Sequence, residues 1–166
     1  MKKILFAIMF AGLSIGAQAQ EIPKNALGLR LGDNSGFGGE ISYQRALSGN
    51  NRLEFDLGWR DSKHSDAIKI VGLYQWVWNI EGGFNWYAGV GGGLGQYEFH
   101  DDYEFEDDDD RNGTFILLAG DLGIEYVFDI PLQLSLDFRP EFYFGSVNAF
   151  ENNFGPDIAL GIRFTF

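Results

Sequence analysis

The sequence contains no cysteine, only two histidines and four prolines, and half as many basic as acidic residues. The absence of cysteine excludes disulfide bonds and thiolate metal sites. With 12 basic against 24 acidic residues, the composition argues against binding of nucleic acid and against polybasic contact with a membrane surface. Beyond the first residues, no apolar run reaches the length of a transmembrane helix. What remains is an acidic chain rich in glycine and aromatic residues.

The N-terminus has the three parts of a secretory signal peptide. Lys2 and Lys3 give a positive start, an apolar stretch follows, and residues 17–19 (Ala-Gln-Ala) fit the small-x-small cleavage rule. A membrane anchor is the alternative, but the apolar stretch is short for a span and is followed by a cleavage site. We therefore predict that residues 1–19 are removed and that residues 20–166 form one mature domain, with ten basic and 24 acidic residues.

The predicted mature chain is dominated by the two-residue alternation of β-strands. In the last segment, Ile158, Leu160 and Ile162 share one face, whereas Asp157 and Arg163 fall on the other. A strand of about ten residues, tilted by about 40°, spans the roughly 25 Å apolar band of an outer membrane. Eight segments show the alternation, near 26–33, 37–47, 52–60, 67–78, 84–97, 114–128, 132–144 and 156–166.

The two faces of these segments differ in charge. The apolar face carries almost none, with Arg45 as the main exception. A soluble sandwich or lipocalin-type barrel would turn this face inward, and an outer-membrane barrel would turn it outward. In the fourth segment, the outward choice of Ile70, Tyr74 and Trp76 keeps Lys69 and Gln75 inside. The same choice places ten charged residues in the lumen, namely Arg30, Glu40, Glu54, Asp56, Asp121, Glu125, Asp137, Arg139, Glu141 and Arg163.

Link lengths favour the membrane. The links near 48–51, 79–83 and 129–131 are tight, and those near 61–66, 98–113 and 145–155 are longer and more polar. Short turns at one rim and long loops at the other are typical of outer-membrane barrels, although the first link is also short. Aromatic residues near several strand ends suggest interfacial girdles. The sequence thus predicts an all-β, eight-stranded, antiparallel, transmembrane up-and-down β-barrel.

The C-terminal segment 158–166 (IALGIRFTF) alternates apolar residues and ends on an aromatic residue. It resembles the β-signal of Gram-negative outer-membrane proteins, which would make Phe164 and Phe166 part of an assembly signal. Segments 86–95 and 134–141 resemble those of small OmpA/OmpX-type barrels, including the porin-like "outer membrane protein β-barrel domain" families. The resemblance implies a multi-pass location in the cell outer membrane and biogenesis through periplasmic chaperones and the barrel-assembly machinery. It does not define an activity, because these families mix structural proteins, adhesins, resistance factors and enzymes.

The predicted lumen is narrow, since eight strands enclose a space that side chains can fill. Its charges must therefore pair, because an unpaired buried charge costs several kcal/mol. The main expectation is a lumen plugged by salt bridges and hydrogen bonds. A gated ion path, in which Arg139 or Arg163 switches acidic partners, is the alternative.

Four glycines of the fifth segment, Gly89, Gly91, Gly93 and Gly95, fall on one face. Glycine weakens a strand, so a row of glycines indicates that something bulky approaches closely. We expect packing against inward Phe115, Leu117 or Tyr143. A ligand groove is the weaker alternative.

The link between the fifth and sixth segments carries nine acidic residues from Glu98 to Asp110. Within it, Asp108, Asp110 and Asn112 match the opening of a calcium loop, with a glycine at the turn position. The position of the closing bidentate glutamate is Ala119, which rejects an EF-hand. Loose binding of Ca²⁺ or Mg²⁺ is left as a weak alternative to a solvated, self-repelling loop. No other cofactor is expected.

Candidates for catalysis are few. Only His64 and His100 are available, and although residues 61–66 hold the residue types of a triad, neighbours in one short loop rarely reach its geometry. The leading prediction is a non-enzymatic, monomeric outer-membrane protein with a structural or surface-interaction role toward outer-membrane lipids and lipopolysaccharide. A small porin or gated channel is the first alternative, and a lipid A-modifying enzyme is the second.

Overall fold

The computed structural model describes residues 22–34, 37–61, 65–99, 112–145 and 154–166. The predicted signal peptide and most of the acidic loop lie outside these residues. No helix in the described part of the chain is long and apolar enough to cross a membrane.

The described residues form eight antiparallel strands that close into a barrel in sequence order. Each strand pairs with the one before it, and the first pairs with the last, which confirms the predicted fold class and strand count. The bounds lie within a few residues of the predicted segments. The strands are β1 (Asn25–Asn34), β2 (Phe37–Ser48), β3 (Asn51–Asp61), β4 (Ser65–Glu81), β5 (Phe84–Phe99), β6 (Asn112–Val127), β7 (Leu132–Gly145) and β8 (Phe154–Thr165).

The barrel has two different rims. The terminal rim carries Asn25, Phe166 and the links 49–50, 82–83 and 128–131, and the loop rim carries the links 35–36, 62–64, 100–111 and 146–153. At the terminal rim, Gly82 has a φ of 53°, the left-handed conformation that a two-residue hairpin link requires. The third link was predicted to be one of the longer ones, and this is wrong. β3 and β4 pair as far as Asp61 and Asp66, so only three residues remain between the strands.

The alternation of burial places apolar side chains outside and charged side chains inside. Most large apolar residues of the outer face are between 39% and 67% exposed, whereas the inward charged residues are at most 6% exposed. β4 follows the predicted choice, with Lys69 and Gln75 buried and Ile70 and Trp76 exposed. That parity also buries Val71, Leu73 and Val77. Arginines are therefore among the largest fully buried side chains, the reverse of a soluble protein.

Aromatic rings gather near both rims on the outer surface. Toward the terminal rim, Trp78 stacks on Trp86 with ring centroids 4.2 Å apart, and Phe84 meets Tyr126 edge-on at 4.5 Å. Toward the loop rim, Phe142 contacts Phe154 at 4.9 Å, and Trp59 is exposed on β3. Side chains with an apolar body at the ends of a charge-poor band are typical of membrane interfaces.

Candidate functional site

The charged barrel interior is the candidate site. All ten residues expected in the lumen are buried there. Strands place them by parity alone, because successive side chains of a strand point to opposite faces. Together with three further residues they form a set that we call the charge network, namely Arg30, Arg52, Lys69, Arg139, Arg163, Glu40, Glu54, Asp56, Asp121, Glu125, Asp137, Glu141 and Asp157.

Arg139 on β7 is one centre of the network. Its Nη1 lies 3.2 Å from Glu40 Oε2, and its Nη2 lies 3.1 Å from Glu54 Oε1 and 2.6 Å from Asp56 Oδ2. These carboxylates come from β2 and β3, on the far side of the lumen from β7 in strand order. One guanidinium therefore holds three carboxylates across the interior, using the several donors that arginine offers in a fixed plane.

Arg30 on β1 is a second centre. Its guanidinium donates to Glu40 at 3.0 Å, to Asp157 at 2.6 Å and to Asp137 at 2.5 Å. Glu40 is shared further, since Lys69 Nζ lies 3.1 Å from Glu40 Oε1. These contacts tie the two centres into one connected set.

Lys69 also lies 3.0 Å from Glu141 Oε2, and the hydroxyl of Tyr143 donates to the same carboxylate oxygen. The ring of Tyr143 lies 5.6 Å from that of Phe115, so Tyr143 has one polar and one apolar side. This residue marks the boundary between the charge network and the apolar part of the interior.

Toward the terminal rim, neutral side chains continue the network. Arg52 donates to Gln75 at 2.6 Å and pairs with Glu125 at 2.7 Å, and its guanidinium lies 4.7 Å from the centre of the Tyr87 ring. Gln75 in turn donates to Glu54 at 3.0 Å and to Asp121 at 2.5 Å. The Gln75 amide thus bridges Glu54 and Asp121, and its hydrogen bonds lower the cost of burying these carboxylates.

The ten residues expected in the lumen are not the whole network, although the sequence also places Arg52 and Lys69 on the inward face. Arg52, Lys69 and Asp157 are missing from the ten, and so are amides such as Gln44 and Gln133, which bond each other and the carboxylates. The same parity already placed these residues on the inward face. Parity therefore predicts which side chains point inward. It does not predict which of them make contact, because this depends on the shear between strands.

A different packing fills the interior near the loop rim. There, eight buried residues form what we call the apolar cluster, namely Ala67, Val71, Leu73, Tyr97, Phe115, Leu117, Ala119 and Tyr143. They come from neighbouring strands, β4 to β7. The barrel interior thus has a charged part and an apolar part.

The glycine row of β5 is explained in part by the expected packing. A Cβ on Gly95 would lie 2.4 Å from the ring of Phe115, as expected, but one on Gly89 would meet Gln75 at 2.8 Å. At Gly91 and Gly93 the nearest atoms are backbone oxygens of β4, at 1.9 Å and 2.3 Å. The row therefore serves close approach of strands and side chains. Side chains fill the inner face at Gly89 and Gly95, which argues against a ligand groove at these two positions.

The remaining predicted residues lie elsewhere. Asn112 is exposed at the start of β6, opposite Glu98, while Asp108 and Asp110 lie outside the described residues, as do His64 and His100. Within the described part of the chain, no group of three or more acidic or histidine side chains is placed to hold a metal ion. Phe164 and Phe166 are exposed at the terminal rim, with ring centroids 6.1 Å apart.

Comparison with known proteins gives similarity of fold. No family model matches the chain, and no curated protein matches it. Among solved structures, neisserial surface protein A (NspA) aligns with a TM-score of 0.60 at 14% identity, covering 86% of this chain and 94% of that protein. Ail, the attachment invasion locus protein of Yersinia pestis, aligns with a TM-score of 0.54 at 11% identity, covering 87% of this chain and 100% of that protein. The chain therefore shares the small eight-stranded barrel fold of these two proteins.

Proposed function

We propose that this chain is a non-enzymatic outer-membrane β-barrel with a structural and surface-interaction role, and that its charge network plugs the lumen. The observation that carries the proposal is the outward apolar face. Side chains such as Leu118, Ile158 and Leu160 are more than half exposed all along the barrel wall. Soluble monomers rarely expose a contiguous apolar patch beyond a few hundred Å². A bilayer is the solvent that suits such a surface.

The surface-interaction role rests on two supports. NspA is named as a surface protein and Ail as an attachment invasion protein, and this chain shares their fold. The sequence also supplies long polar links at one rim, including the acidic stretch after Glu98. On this proposal, residues 1–19 direct export, chaperones and the barrel-assembly machinery insert the chain, and the loop rim faces outward among lipopolysaccharide, with Ca²⁺ or Mg²⁺ as optional loop ligands.

Location is tested by heat-modifiability of the protein in isolated outer membranes. The folded barrel should migrate differently on a gel before and after boiling, because detergent alone does not open a closed ladder of strands. Protease added to intact cells should cleave only at loop-rim links. A protein found in the soluble fraction, with one gel mobility, would contradict the proposal.

Plugging is tested by single-channel recording of purified protein in planar bilayers. We expect no reproducible conductance steps, because charged side chains span the narrow interior. Steps that change when Arg139 is replaced by Ala would instead establish a small porin.

Catalysis is tested separately by mass spectrometry of lipid A. The spectra should be the same in cells carrying the wild type and His64→Ala.

A further inference from the structure

The closure between β1 and β8 has the shortest ladder in the described part of the barrel. It covers residues 26–31 of β1 and 160–165 of β8, whereas the β4–β5 ladder extends over residues 65–81 of β4. β1 has an irregular register with β2 just where its ladder with β8 ends. Within the described residues, segment 154–159 continues beside β7 but not beside β1. We call this closure the seam.

Backbone hydrogen bonding is also weak at the loop-rim end of the seam. At the other end, Asn25 and Phe166 exchange both backbone hydrogen bonds, at 3.0 Å each. Because backbone groups alternate in direction along a strand, those of Ile158 and Pro156 also point toward β1. Pro156 has no N–H to donate, and proline is typical of strand edges that lack a partner. Something other than the ladder must therefore hold β1 against this part of β8.

Arg30 provides the first connection. It projects inward from β1 and donates to Asp157 at 2.6 Å, within the part of β8 that has no β1 ladder. The same guanidinium reaches Asp137 on β7 and Glu40 on β2. A Cβ on Gly32, the next inward position of β1, would lie 2.5 Å from Asp157 Oδ1 and 2.9 Å from Ala159 Cβ, so glycine leaves room for both side chains of β8.

Arg163 provides a second connection in the opposite direction. It projects from β8 and donates to Ser42 on β2 at 2.9 Å and to Glu54 on β3 at 3.0 Å. It also donates to Ser135 on β7 at 2.8 Å. One arginine thus reaches from β1 back to β7 and β8, while the other reaches from β8 past β1 to β2 and β3.

We infer that Arg30 and Arg163 form a latch that holds the barrel closed along the β1–β8 seam. The seam is the line along which the native barrel opens first, and the two guanidiniums set how often it opens. The role is conformational and goes beyond the proposed surface function, which does not depend on it.

The test is hydrogen–deuterium exchange of single backbone amides in folded protein in micelles. Arg30→Gln should speed exchange of the seam amides of β1 and β8 at least about tenfold, while amides of the β4–β5 ladder change less than about threefold, because the opening is local. Arg52→Gln is the matched control, since Arg52 is equally buried but contacts β4 and β6. Arg52→Gln should not speed amide exchange more at the seam than in the β4–β5 ladder. Equal acceleration in both ladders by Arg30→Gln would overturn the latch.

A gentler variant covers the case in which Arg30→Gln does not fold. Asp157→Asn keeps the size of the side chain but weakens its 2.6 Å bond to Arg30, so it should speed seam exchange selectively. Glu125→Gln is its control, because Glu125 is also buried but pairs with Arg52, away from the seam. Equal exchange at the seam in the two amide variants would contradict the latch.

Covalent closure gives a second readout. Leu29 and Ile162 face each other across the seam on the outer face, and the chain has no native cysteine to interfere. By alternation from Asn25 and Phe166, they form a hydrogen-bonded pair. The Cα atoms of such a pair lie about 5.5 Å apart, within the range of a disulfide. Oxidised Leu29→Cys/Ile162→Cys should restore slow seam exchange in Arg30→Gln. If exchange remained fast in the cross-linked protein, Arg30 would act on general stability and not on the seam.

Discussion

The charge network and the apolar cluster fill two parts of one interior with opposite chemistry. Network residues reach distant strands, as Arg139 on β7 does when it binds Glu40 and Asp56 on β2 and β3. Cluster residues belong to consecutive strands, as Phe115 and Tyr143 on β6 and β7 do. The difference indicates that charged contacts connect strands on opposite sides of the barrel, whereas apolar contacts pack neighbouring strands on one side. The predictions below separate these two roles.

The largest effect is expected from Arg139→Met. Three buried carboxylates would lose a basic partner, and removing one side of a buried pair costs about 3–5 kcal/mol. Urea unfolding in micelles, followed by tryptophan fluorescence, measures the loss. Arg45→Met is the control, because Arg45 is exposed and its described hydrogen bond is to Asn25. A loss below about 1 kcal/mol for Arg139→Met would mean that the network does not hold opposite sides of the barrel together.

The boundary between the two parts is tested by a double-mutant cycle on Lys69 and Glu141. Each single change, Lys69→Met or Glu141→Gln, leaves a charge behind, so the double variant should be more stable than the summed losses suggest. We expect a coupling of about 1–3 kcal/mol, which is usual for groups that share a buried network. Additive losses would show that the 3.0 Å contact between them carries no energy.

A smaller effect is expected in the apolar cluster. Phe115→Leu leaves a cavity beside Gly95, and conservative loss of buried volume costs about 1–2 kcal/mol. Phe142→Leu changes an outward residue of β7 that is 49% exposed and should cost less than about 0.5 kcal/mol. Equal losses in the same unfolding measurement would mean that the cluster is no better packed than the outer surface.

The smallest effect is expected from salt. Network groups are almost fully buried, and buried pairs are screened much less than exposed ones. Raising KCl from 0.05 to about 0.5 M should therefore shift unfolding by less than about 0.5 kcal/mol. A steep fall in stability with salt would place the charged groups in contact with solvent.

The fold could be predicted from the sequence because one periodicity determines both strand position and facing. The parity that puts Ile162 outside also puts Arg163 inside, and a slip by one residue would reverse every side chain of the strand. For that reason even β4, where Val71 and Leu73 compete with Ile70 and Trp76, could be assigned from the need to keep Lys69 inside.

Pairing inside the barrel could not be predicted in the same way. Arg30 and Asp157 are 127 positions apart in the sequence, and their contact depends on the strand stagger. The close approach of β4 at Gly91 and Gly93 depends on backbone curvature, which no side-chain pattern encodes. The third link was predicted too long because its polar residues hide the continued pairing of Asp61 with Asp66.

The central claim is that the apolar face meets lipid and the charged face is closed off from it. The most direct measurement is nuclear Overhauser contact between lipid acyl chains and side-chain methyl groups of the native protein in nanodiscs. The methyls of Leu118, Leu160 and Ile162 should contact acyl chains, and those of Leu117 and Ala159 should not. Acyl contacts at Leu117 and Ala159, with water contacts at Leu160 and Ile162, would contradict the account.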